Sequence, residues 1–185
     1  DLPGVKLVGV VDADASLRLP DFRAAERTFA LLVQVSGRAG RASADGEVYI
    51  QSAHPDVSPI AHAAAGRVTE FMASELVARR EQRFPPFVRL IRVVARGRDE
   101  DKVAETIDRL AEVLEAESEM AAAGADVLGP APCPIGKVAR NHRHHLLVRA
   151  PAMRPMLATV RRCVNGFHPE SGVYLELDLD PMAVL

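Results

Sequence analysis

The sequence predicts an α/β segment followed by an α+β domain of the split βαβ kind. Three observations predict it. The apolar run Lys6 to Val11 ends in Asp12-Ala13-Asp14, as buried parallel strands of α/β proteins often do. The Phe84-Pro85-Pro86-Phe87 segment stops a charged helical pattern, because proline removes a donor and holds the residue before it extended. Beyond it the apolar spacing alternates between strand and helix periods in the order strand, helix, strand, strand, helix, strand.

Taken in order, Asp21 caps a helix over 21–37, in which Phe22, Ala25, Phe29, Leu32 and Val33 recur at three-to-four-residue spacing. A second short strand, Glu47 to Gln51, follows the Asp45-Gly46 turn. Pro55 and Pro59 punctuate the next stretch, and 66–83 forms a charged connector helix with Val68, Phe71, Met72 and Leu76 on one side. The later strands are Val88 to Ala95, Asp126 to Leu128 running on toward Pro134, His144 to Arg149, and Val173 to Asp178. The helices between them span 99–120 and 152–164, the first with Val103, Ile107, Leu110 and Leu114 on one stripe and Glu105 and Arg109 as an exposed pair. This is the ferredoxin-like order, two helices on one face of a mainly antiparallel sheet. The expected organisation is an α/β remnant over 1–54, a helical connector over 55–83 and a ferredoxin-like domain over 84–185.

Composition bounds the function less than the motifs do. The 185 residues are 48% hydrophobic and 26% charged, which is the balance of a folded chain rather than a disordered tail. The net charge of −2 gives no global reason to expect nucleic acid, so any basic footprint must be local. Cys133 and Cys163 lack CxxC spacing and read as small buried thiols in a reducing cytoplasm. No apolar run approaches the ~18 residues of a membrane span, and Asp1 in place of an initiator methionine reads as an internal boundary.

The most specific string is Gln34-Val35-Ser36-Gly37-Arg38-Ala39-Gly40-Arg41. On a continuous helix Gln34, Arg38 and Arg41 fall at i, i+4 and i+7, so one amide and two guanidiniums share a face. Planar, permanently charged guanidiniums suit phosphate oxygens, and an arginine that neutralises a γ-phosphate is worth ~10³–10⁵ in rate in nucleotide hydrolases. Gly37 and Gly40 leave no side chain beside them, so a nucleotide held elsewhere can approach. The bland alternative for a bare GRxGR is a glycine-capped helix end whose cations meet the C-terminal dipole.

QVSGRAGR resembles motif VI of superfamily 2 helicases. Its context, VKLVGVVDAD, PDFRAAERTFALLVQVSGRAGR and GEVYIQS, resembles the second motor lobe of the primosomal protein N′ (PriA) family of bacterial replication-restart helicases. ARREQRFPPFVRL, VLGPAPCPI and LDLDP resemble that family's C-terminal domain, so the likeness covers essentially the whole chain. The resemblance implies the end of a RecA-like helicase lobe joined to a C-terminal DNA-binding domain. The activity it implies is an ATP-driven 3′-to-5′ DNA translocase that recognises abandoned forks and, with other primosome proteins, reloads the replicative helicase. Gln34, Gly37, Arg38 and Arg41 would then face ATP and its Mg²⁺, with Arg41 as the finger on the γ-phosphate, Arg38 sharing the phosphate and Gln34 ordering the attacking water or coupling to DNA.

The chain has no G-x-x-x-x-G-K-[ST] phosphate loop and no acidic box for Mg²⁺, so alone it should not hydrolyse ATP. The family's zinc-binding segment is cysteine-rich, and Cys133 and Cys163 do not match its ligands; no metal site is expected here.

A local basic patch does exist. Lys137, Arg140, His142, Arg143, His144, His145 and Arg149 cluster along the middle strands of the second domain, with Arg143 and His145 facing one way and His142 and His144 the other. Lys137, Arg140, His142, Arg143 and His144 are the candidate DNA contacts: cations on phosphates, imidazoles on unpaired bases. The alternatives are a solvated hairpin whose charges guard a sheet edge, or a two-histidine metal site. Asp12, Asp14, Asp178 and Asp180 invite an acid-base or metal reading, but strand-end aspartates more often cap loops or pair with arginines. The rival to an enzyme portion is a non-catalytic module docking fork DNA or single-strand DNA-binding protein, both of which the resemblance also implies as partners.

Overall fold

The computed structural model describes residues 5–39 and 46–183. Among them the chain is mixed α/β with two sheets, and it divides into two compact units, residues 1–78 and 79–185.

In the first unit β1 (Leu7–Val10) and β2 (Glu47–Ile50) pair in parallel, Leu7 opposite Glu47 and Val10 opposite Ile50. Parallel neighbours need a crossover, and α1 (Ala24–Ala39) supplies it. Val10 and Ile50 point toward Phe29 and Leu32 of α1, while Leu7 and Tyr49 alternate to the exposed face. Asp21 begins the helix by accepting from the Arg23 N–H at 2.9 Å and pairing with Arg27 at 2.8 Å. Helical geometry thus starts at Ala24, three residues later than the spacing predicts.

Two further helices complete this unit's core. Pro59 does not interrupt the chain; it occupies the first turn of α2 (Ser58–Ala64), where its missing N–H is no loss. In α3 (Val68–Glu81) Phe71 is buried and stacks on Phe29 with ring centroids 3.9 Å apart. Val68, Met72 and Leu76 remain about half exposed, so only one position of the expected apolar side is used.

The second unit runs β3 (Arg89–Gly97), α4 (Glu100–Ala116), α5 (Ser118–Ala122), β4 (Asp126–Val138), β5 (Asn141–Ala150), α6 (Met153–Gly166) and β6 (Val173–Leu179). Its sheet has the order β4-β5-β3-β6 with every neighbouring pair antiparallel. Ile91, Val93 and Ala95 of β3 and Leu146, Val148 and Ala150 of β5 share one face and pack against Val103, Ile107, Leu110 and Leu114 of α4 and Met156 and Val160 of α6. Each such large side chain contributes roughly 1.5–3 kcal/mol on burial. Both helices therefore lie on that face.

Asp99 caps α4 through the Lys102 N–H at 3.3 Å, as its sequence position suggests. The single helix expected over 99–120 is broken at Glu117, whose backbone is extended (φ −72°, ψ 115°), and resumes as α5. Arg109 does not serve a helical pair with Glu105; it reaches Glu170 at 2.8 Å, where a partly covered partner holds it across the fold. β4 and β5 are each longer than predicted and close into one hairpin.

Candidate nucleotide-facing helix and nucleic-acid interface

The buried residues of α1 are Thr28, Phe29, Leu32 and Ala39. At ~100° per residue Gln34 and Arg38 fall on the opposite side of the helix, and both are exposed. Gly37 is also exposed, and a Cβ built there would meet nothing within 4 Å among the described residues. Neither packing nor a left-handed backbone therefore requires glycine at 37, although an interior helical glycine costs about 1 kcal/mol relative to alanine. Gly40 and Arg41 lie outside the described residues. A shallow cavity of about 420 Å³ beside this helix is lined, among the described residues, by Ser36, Val48, Ile50, Ala63, Ala64 and Gly66, none of them titratable.

The strand-end aspartates hold loops. Asp14 is buried and accepts from Ser52 Oγ at 2.9 Å and the Ala53 N–H at 2.8 Å, and the bond from the Ala53 amide, chiefly, holds its carboxyl below the usual range. Asp12 pairs with Arg18 at 2.7 Å, and Asp180 pairs with Arg89, whose hydrogen bond likewise lowers its pKa. None of these three is left to act as a free acid or base.

In the second unit the basic positions crowd one end of the sheet. Val138 sits opposite Asn141, so Ala139 and Arg140 form a two-residue turn, and both have positive φ (47° and 67°) as a type I′ hairpin requires. Lys137 is opposite His142, which places it on the side of His142 and His144, while Arg143 and His145 face the other way. The five candidate contacts are thus split between two faces and an apex. Among the described residues Lys137, Arg140 and Arg143 have no carboxylate partner, in contrast to Arg83, Arg89, Arg96, Arg109, Arg149 and Arg162, all of which are in ion pairs. His142 is engaged: its Nδ1 lies 3.0 Å from Oε2 of Glu100 in the first turn of α4.

The face without helices carries a buried polar network. Arg92 is 4% exposed; its Nε donates to His145 Nδ1 at 3.1 Å and Nη2 approaches Cys133 Sγ at 3.4 Å. Burial, reinforced by the Arg92 and Arg143 charges, pushes the His145 pKa down to about 4, so the ring is neutral and accepts at Nδ1. At the hairpin end of this face Arg96 pairs with Glu176, and its guanidinium lies over the Tyr174 ring at 5.2 Å from the centroid.

The sequence reading missed Arg98. It follows Gly97, which is opposite His142 in the register, and so joins the unpaired cations at this end of the sheet. No local signal marks it, because the pairing that brings it there is long-range. Cys133 and Cys163 are both buried free thiols. Among the described residues no group of three His, Cys, Asp or Glu could hold a metal, and no helix is long and apolar enough to cross a membrane.

Several curated proteins are similar along this chain. The replication restart protein PriA of Treponema pallidum (strain Nichols) is 42% identical over 185 residues, covering 100% of this chain and 28% of that one. Those of Synechocystis sp. (strain ATCC 27184 / PCC 6803 / Kazusa) and Bacillus subtilis (strain 168) are 37% and 34% identical, again over 100% of this chain and over 22% and 23% of theirs. The chain thus spans roughly a quarter of the length of these relatives. The model of the primosomal protein N C-terminal domain matches residues 80–182, which takes in every strand and helix from β3 to β6 together with the basic hairpin. By that match, extending over more than half its length, the chain belongs to the primosomal protein N C-terminal domain family.

Proposed function

We propose that this chain is the C-terminal part of an ATP-dependent 3′-to-5′ DNA helicase that binds stalled replication forks and promotes primosome assembly and replication restart. The observation that carries the motor half of this reading is the open side of α1, which carries Gln34, Gly37 and Arg38 and where nothing among the described residues demands the glycine. A nucleotide brought against that side by a phosphate loop and acidic box outside these residues would meet a guanidinium and an amide beside a position that carries no Cβ. Arg41 is the proposed finger on the γ-phosphate, Arg38 shares the phosphate, and Gln34 orders the attacking water or couples to DNA. In this reading β1, α1 and β2 are a remnant of a RecA-like lobe, residues 1–54, joined by a connector over 55–83 to a ferredoxin-like domain over 84–185. The strand order β4-β5-β3-β6 with two helices on one face supports the last assignment.

On the same reading the hairpin cations Lys137, Arg140 and Arg143, with His142 and His144, contact branched DNA, and Arg98 joins them. Their lack of carboxylate partners supports this, since a cation already paired gains less from a phosphate. Single-strand DNA-binding protein and other primosome proteins are the proposed protein partners, Mg²⁺ and zinc belong to residues outside this chain, and the compartment is the cytoplasm. The chain alone is expected not to hydrolyse ATP, because it carries no phosphate loop. The test is Arg41→Ala in the complete protein, which should abolish DNA-stimulated ATP hydrolysis while fork binding survives. Unchanged hydrolysis would remove the finger assignment.

A further inference from the structure

On the sheet face opposite α4 and α6, one row of side chains crosses three strands. Tyr174 of β6 is opposite Arg96 of β3, and Arg96 is opposite Arg143 of β5. Residues directly opposite across antiparallel strands share a face, so the row spans two inter-strand spacings, roughly 9–10 Å. Tyr174 is 62% exposed even though its ring lies beneath the Arg96 guanidinium. Arg96 is itself held by Glu176, which fixes the cation over one side of the ring and neutralises the nearest carboxylate. Asp178, the other acid of β6 on this face, lies opposite Arg92. Arg143 has no carboxylate partner among the described residues.

A rigid aromatic ring backed by a cation, with an unpaired guanidinium about two strands away, matches a nucleotide unit: a planar base followed by its phosphate. Base stacking on such rings tolerates any sequence, and a cation–π contact behind the ring holds it in place before the base arrives. We propose that Tyr174 is a stacking site for an unpaired base of single-stranded DNA, with Arg143 taking the adjoining phosphate. This rests on the nucleic-acid interface proposed above and extends it from the hairpin onto the helix-free face of the sheet.

The chain contains no tryptophan and two tyrosines, Tyr49 and Tyr174, so in a Tyr49→Phe background the tyrosine emission reports Tyr174. Titration of that 185-residue chain with a short poly(dT) oligonucleotide should quench the emission in step with binding measured independently by the anisotropy of a label on the DNA. Tyr174→Ala should weaken binding about 5- to 150-fold, the affinity equivalent of one stacked base, while Tyr174→Phe stays near wild type. Circular dichroism of both variants should match the parent, since the side chain is mostly in solvent. Poly(dT) binding with unquenched emission and an unaffected Tyr174→Ala variant overturns the stacking site; if Lys137→Gln, Arg140→Gln and Arg143→Gln together still abolish that binding, the hairpin interface stands without it. Absence of any DNA binding by the parent chain overturns both.

Discussion

Arg149 meets Asp126 side-on across β5 and β4, its Nε 2.8 and 3.0 Å from the two carboxylate oxygens and its Nη2 2.8 Å from Oδ2. The same guanidinium donates from Nη1 to the Gln82 carbonyl at 2.8 Å. One fork thus joins a strand pair and closes the carbonyl end of the chain leaving α3, where a cation also meets the helix dipole favourably.

Arg149→Ala should destabilise the second unit by on the order of 1.5–3 kcal/mol, the range for hydrogen bonds to charged groups, measured by urea denaturation. Arg149→Lys should recover little of this, because an ammonium cannot reproduce the bidentate contact and the carbonyl bond together.

The hairpin reading predicts salt dependence. Replacing Lys137, Arg140 or Arg143 singly by glutamine should lower the slope of log affinity against log salt by about 0.7 for single-stranded DNA and about 0.9 for duplex, if each residue neutralises one phosphate. His142→Gln should leave that slope unchanged, since the contact proposed for His142 is to a base rather than a phosphate. Slopes that do not move with the three cations would return the hairpin to a solvated sheet edge.

Protonation of His145 should appear in the pH dependence of stability. The folded state keeps this ring neutral down to about pH 4, whereas an unfolded chain protonates it near 6.5, so the unfolded state binds more protons between those values. Stability is therefore fully present above about pH 6.5 and falls as the pH drops toward 4. The unscreened linkage is roughly 3 kcal/mol, and partial exposure of the ring reduces it to about 1–2. His145→Gln retains an acceptor for Arg92 without titrating and should flatten that part of the profile in thermal melts. The lowered carboxylates act in the same direction: Asp14 and Asp180 lose their contribution only below their ordinary value of 3.8, outside this window, whereas Glu119 begins to lose its own near its ordinary 4.5, at the acid end of the window.

Gly97 ends β3 in a crowded corner. A Cβ there would lie 2.9 Å from the Gly172 carbonyl oxygen and 3.1 and 3.3 Å from methyls of Val103 and Val173. Gly97→Ala should cost about 1–3 kcal/mol in chemical denaturation, because backbone as well as side chains must move.

What was legible in the sequence follows from how local each signal is. The alternation of Ile91, Val93 and Ala95 and the stripe Val103, Ile107, Leu110 and Leu114 announce their strand and helix because burial acts on one face at a fixed period. β4 was mostly hidden, since Gly129, Pro130, Pro132, Pro134 and Gly136 read as loop. It is an edge strand, where proline's missing donor is tolerated, and its register shifts between Leu128 and Ala131 and again before Lys137. The turn carries Ala139 and Arg140 where the expected hairpin signal is Asn-Gly. Gln34 and Arg38 were readable from helical spacing alone. Arg98 and Tyr174 were not, because strand pairing between distant segments brings them to the basic end of the sheet.

The left-handed backbone of Arg140 has one more consequence. Glycine adopts that conformation without a steric penalty, and a bulky side chain there is held against its own preference. Arg140→Gly would therefore make the apex more robust to heat while stripping it of charge. If the hairpin grips phosphates, thermal resistance and ligand affinity are opposed at this one residue, and selection for either alone would choose a different amino acid.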